Sequence, residues 1–133
     1  MTKSNVVSII MRVVLGIIFV FHGVDKFQMG LSNVEVWFSS LGIPGFLAYV
    51  VAVIELIGGI MLIVGLFARY VSVILIVTLI GAIITAKLSA GLLGNGQMAG
   101  YELDLGFILV LLHLVITESH LSIDRIIFNK RNP

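Results

Sequence analysis

Five ionisable side chains, Arg12, His22, Lys26, Glu55 and His113, fall inside or at the ends of segments otherwise apolar enough to cross a bilayer. A charge near the centre of a membrane helix costs about 2.5–3.5 kcal/mol on insertion scales, so a chain that keeps several pairs them or uses them. His22 and Lys26 are four apart and therefore neighbours on one helix face. Such a pair can meet a ligand carbonyl or phosphate, or can snorkel to lipid headgroups. Arg12 and Glu55 are the natural ion pair, because a guanidinium forks onto a carboxylate and a long arm covers a difference in depth. That pair serves either as an internal salt bridge fixing helix register or as part of a polar site. His113 joins it or is satisfied by a neighbouring carbonyl. Asp104, half a turn from Glu102 and further inside its helix, is the expected partner of Lys26, while Lys87 and Glu102 read as solvated at the interface.

Several chemistries are not expected. Neither His-Glu motif spacing nor a carboxylate cluster is present, so no metal site is predicted. His22 and His113 differ in depth by roughly 15 Å at the rise of an α-helix, too far to clamp one haem. With no cysteine there is no disulfide, thiolate site or thiol relay. A net charge of +1, with basic residues spread along the chain, gives no footprint for nucleic acid.

These residues must be positioned by membrane helices. Hydrophobic residues make up 59% of the 133 positions, 11% are charged, and the mean hydropathy is +1.19. The expected fold class is an all-α integral membrane protein, a single domain in which four transmembrane helices form a bundle. The spans are predicted over about 6–27, 46–67, 71–88 and 101–119, with a short interfacial helix over about 33–41 between the first two. A signal peptide is the competing reading of the N-terminus, but the apolar run is interrupted by Arg12 and ends in FHGVDKF without a small-residue cleavage pattern.

Along the first span Arg12, Gly16, Phe19, Gly23 and Lys26 line one face, a stripe of small and polar residues suited to close packing around a polar interior. Gly58 and Gly59 follow Glu55 by one turn and invite another close approach. Ser32 and Glu35 form a capping box, with a staple from Leu31 to Val36, and Trp37 and Phe38 lie on the apolar face of the short helix as an anchor or a lid. Gly91, Gly94, Gly96 and Gly100 predict a flexible connection before the last span. Lys3, Arg69, Arg125, Lys130 and Arg131 on one side outweigh Lys26 and Lys87 on the other, which puts both termini in the cytoplasm.

The runs RVVLGIIFVFHGVDKF and FSSLGIPGFLAYVVAVIELIGGIMLIVGLFARY, continued by GYELDLGFILVLLHL and LSIDR, resemble the DoxX family of small bacterial membrane proteins. The arginine, the HGxxK element, the LGIP turn and the VAxxExxGG segment occur in the family's order, and ESHLSID replaces its usual small-residue turn near the end. The resemblance implies a multi-pass protein of the bacterial cell membrane linked to redox or oxidative-stress functions, and marks Arg12, His22, Gly23, Lys26, Glu55, Gly58 and Arg69 as matching positions. The leading expectation is a redox accessory or oxidoreductase subunit binding a quinone or related aromatic from the bilayer. In it His22 and Lys26 polarise a carbonyl, and Arg12 with Glu55 supports a proton path. The alternatives are a scaffold that recruits a soluble or membrane oxidoreductase partner through the basic tail, and a small proton-coupled carrier, which would need a homo-oligomer for room. Catalytic turnover by the chain itself is left open.

Overall fold

The computed structural model describes residues 2–96, 99–117 and 126–127. Among the described residues five α-helices follow one another: α1 (Lys3–Met29), α2 (Leu31–Ser40), α3 (Leu47–Val64), α4 (Ala68–Ala82) and α5 (Glu102–Ile116). Among the described residues three stretches are long and apolar enough to cross a membrane: Lys3–Met29, Leu47–Val64 and Ala68–Ala90. The fourth segment expected from the sequence contains α5, whose 15 residues make it shorter than these. Ser119, where that segment was to end, and the basic residues Arg125, Lys130 and Arg131 lie outside the described residues.

α1 starts at Thr2, whose hydroxyl accepts from the Asn5 amide at 3.2 Å, and runs for 27 residues, about 40 Å. Gly30, at φ 90°, turns the chain directly into α2. The short helix therefore begins at Leu31, two residues before the predicted start, and Gly30 rather than Ser32 is its N-cap. No side chain caps it, so the expected capping box does not form. Asn33 reaches back to the Met29 carbonyl at 2.7 Å, closing the end of α1, and Glu35 accepts from the Tyr49 hydroxyl at 2.9 Å. On α2 Val34 and Phe38 are buried and pack with Ala48 at the start of α3. Trp37, 45% exposed, lies outside that contact.

α1 and α3 pack closely through glycine. A methyl group on Gly16 would come within 2.7 Å of the Gly59 carbonyl oxygen, and one on Gly23 within 2.8 Å of the Leu56 amide nitrogen. Backbone thus meets backbone, the close approach that small residues permit in a membrane. Of the predicted glycine pair, Gly59 takes the α1 backbone, whereas Gly58 faces the Val71 and Leu75 side chains of α4. α3 ends where Gly65 turns left-handed and the Leu66 amide returns to the Met61 carbonyl at 2.8 Å. The main apolar core joins α1, α3, α4 and α5 through residues such as Leu15, Phe19, Leu62, Leu75 and Leu111.

α4 continues into a five-residue π turn, Ile83–Lys87, and a short 3-10 turn, Leu88–Ala90. Thr85 donates to the Gly81 carbonyl at 2.7 Å within this stretch. The described residues of the glycine-rich connection that follows make contacts with one another. Gly94 pairs with Ala99 in an antiparallel bridge, the Tyr101 and Glu102 amides return to the carbonyls of Gly91 and Leu92, and Gly100 sits against Leu92, Gly94 and Gly91 with no room for a side chain. These contacts fix the first turn of α5.

Candidate functional site

The glycine contacts set the axial register of α1 against α3, and that register decides which charges meet. Gly23 lies against Leu56, so Glu55 stands level with His22 and Gly23. Arg12 is eleven residues from Gly23, roughly 16 Å along the axis, more than an arginine side chain spans. The Glu55 carboxylate instead binds Lys26, whose ammonium reaches back from the helix end to 2.7 Å from Oε1. The expected Arg12–Glu55 pair is corrected accordingly. Between the two levels α1 carries Leu15, Gly16 and Phe19, all buried, so the proposed proton path from Arg12 to Glu55 has no polar steps on this helix.

Asp104 is likewise taken by a different lysine. It is 5% exposed, and its Oδ2 lies 2.8 Å from Lys87 Nζ, not from Lys26. Lys87, expected to be solvated at the interface, is therefore half of a partly buried ion pair. Both lysines keep some exposure, 18% for the Lys26 side chain and 31% for that of Lys87, while both carboxylates lie inside at 8%. An unpaired carboxylate at this depth would be costly, and each ammonium offsets that cost.

His22 is exposed, its ring 6.3 Å from that of Phe19, which lies 5.9 Å from Phe107 on α5. At the opposite end of the bundle the Ser8 hydroxyl and His113 Nε2 are 2.7 Å apart, linking α1 to α5. The partner of His113 is thus a hydroxyl rather than a carbonyl. Arg12, one turn from Ser8 on the same face, is 2% exposed and engaged. The predicted residues accordingly separate into two stations, Lys26, Glu55, His22 and Asp104 at one end and Arg12 with His113 at the other. Sequence reasoning missed Ser8 and Lys87. Ser8 had a signal, since it precedes Arg12 by four on the polar stripe. Ser8→Ala should lower the thermal midpoint by an amount equivalent to about 1 kcal/mol, the usual worth of one hydrogen bond; an unchanged midpoint would show that the contact contributes nothing.

Trp37 and Phe38, the expected anchor or lid, have their ring centroids 5.6 Å apart and tilted at 59°, with Phe38 committed to the contact with α3. Among the described residues no three His, Asp or Glu side chains converge as metal ligands would. A separate apolar groove of about 500 Å³ opens between α3 and α4, lined by Val53, Ile57, Gly58 and Tyr70 among others, on the side of α3 away from Glu55.

Comparison with known proteins agrees with the resemblance read from the sequence. The DoxX family pattern matches residues 7–88. A protein of Bacillus subtilis (strain 168) named "Putative oxidoreductase CatD" is 44% identical over 135 residues, covering 99% of this chain and 96% of that protein. "Uncharacterized membrane protein Rv3486" of Mycobacterium tuberculosis (strain ATCC 25618 / H37Rv) is 33% identical over 100 residues, 71% of this chain and 58% of its own length. No solved structure matches.

Proposed function

The chain belongs to the DoxX family, and from that premise we propose that it is a membrane redox accessory or oxidoreductase subunit that takes a quinone or related lipid-soluble aromatic at the Lys26–Glu55 pair. The observation that supports this reading is the ammonium of Lys26, held at 2.7 Å by a buried carboxylate and still partly accessible beside exposed His22. Once one N–H is given to Glu55, a lysine keeps further donors for a ligand oxygen. Phe19 and Phe107, their rings 5.9 Å apart, close the apolar core inward of that pair. The oxidoreductase name of the Bacillus relative accords with a redox setting.

In this reading α5 packs beside α4 as a fourth span of a bundle in the bacterial cell membrane, both termini are cytoplasmic, and α2 lies in the outer interface. Phe38 anchors α2, and Trp37 is the side chain left to act as a lid. A partner oxidoreductase supplies the electrons, since the chain has no cysteine and no recognised redox group; a second copy of the chain is compatible with the apolar groove. A single cysteine at Ser32 or Asn95 should react only with reagent added outside the cell, and labelling from the cytoplasm would reverse the topology.

The deciding experiment is quinone binding by the protein in lipid nanodiscs, followed by mass spectrometry after solvent extraction. Combined His22→Ala and Lys26→Ala changes should weaken binding by about tenfold or more, as expected when hydrogen bonds to a charged donor are lost. A variant that binds as tightly as the unaltered protein would remove both residues from the site.

A further inference from the structure

The aromatic contact between Phe19 and Phe107 sets α1 against α5 as the glycines set α1 against α3. Three residues outward from Phe19 is His22, and three residues back from Phe107 is Asp104, so these two stand at one level. Glu55 shares that level through the contact of Leu56 with Gly23. The bundle therefore carries two ammonium–carboxylate pairs at the same depth. One joins α1 to α3 and the other joins the end of α4 to α5.

The second pair depends on the π turn. Along α4 the buried positions Ala68, Ser72, Leu75 and Leu79 form one seam. A regular α-helix would place Lys87 about 100° off that seam. A π turn carries one residue more than the α-helical path, so it sets Lys87 back by roughly the same angle, toward α5 and Asp104. π turns of this kind recur at functional sites. The outcome here is a second, partly accessible ammonium at the level of the first.

We infer that Lys87 and Asp104 are a specificity-determining pair that receives a second oxygen of the ligand, so that the site selects planar aromatics bearing two oxygen functions over those bearing one. This rests on the proposed binding of an aromatic at Lys26. Lys26 meets one oxygen and Lys87 the other, each ammonium using N–H donors beyond the one its carboxylate takes. Asp104 acts as a positioning residue, holding Lys87 at 2.8 Å in the orientation the π turn provides.

The test measures binding of two probes to the intact protein in nanodiscs: menadione, with two ring carbonyls, and tetralone, with one. The unaltered protein should prefer menadione. Lys87→Met should weaken menadione by about tenfold and tetralone by less than twofold. Because Lys87→Met leaves Asp104 buried without its cation, the double variant Lys87→Met, Asp104→Asn is measured beside it, with a thermal midpoint to confirm folding. Loss of the preference in a folded variant supports the inference. A folded double variant that keeps the full preference overturns it while leaving the Lys26 site intact. Failure of the unaltered protein to bind either probe overturns the reading beneath it.

Discussion

Replacing Lys26 by methionine should destabilise the protein by about 3 kcal/mol, and adding Glu55→Gln should return most of the loss. The reason is the asymmetry of buried ion pairs. Removing one partner strands the other charge in a low-dielectric surrounding, at a cost of roughly 3–5 kcal/mol, whereas removing both exchanges the pair for neutral groups of similar volume at little net cost. Glu55 is 6% exposed and bound by Lys26 at 2.7 Å, so it is the group that would be stranded. Thermal midpoints of the two single variants and the double variant, in one detergent, read the effect. Additive losses would mean that the two side chains do not depend on each other. Arg12→Met provides the contrast, since Glu55→Gln should give it no rescue.

Gly16→Val should be as damaging, at about 3 kcal/mol, because the new side chain would meet the Gly59 carbonyl and the Ile63 amide nitrogen at 2.7 and 3.0 Å. Backbone atoms cannot move aside as the end of a flexible side chain can, so α1 and α3 must separate. The separation would also displace Lys26 from Glu55. Gly81→Val is the control, since nothing lies within 4 Å of a side chain there. Equal loss at both sites would show that helix propensity, not close packing, accounts for the effect.

These two sites show what could be read from the sequence. The stripe from Arg12 to Lys26 was visible because a charge or a glycine on an apolar face breaks the pattern at helical spacing. Of its members, Gly16, Gly23 and Lys26 meet α3, and Phe19 meets α5. Pairing was less legible, because it depends on axial register between helices, and register is set by contacts such as Gly23 on Leu56 that no single-helix periodicity contains. An estimate of depth from span ends left Arg12 and Glu55 within reach; the packed glycines place them apart. The capping box failed for a related reason. Gly30 already makes the turn between α1 and α2, and Glu35 is drawn to Tyr49, fourteen residues away. Lys87 was the least legible, because a uniform 3.6-residue repeat turns it away from the seam.

The π turn also makes the length of α4 matter. Deleting one residue within Ile83–Ala86 would let the helix continue as an ordinary α-helix with Lys87 one position earlier, on the same seam and still beside Asp104, whereas adding a further residue would carry Lys87 about 100° past it. The apolar core, to which α4 contributes Leu75 and Leu79 before the π turn, would be untouched. Among descendants of this chain, loss of a single residue there would leave the pair in place, whereas insertion of one would turn Lys87 away from Asp104 without altering the bundle, a kind of change that counting substitutions would miss.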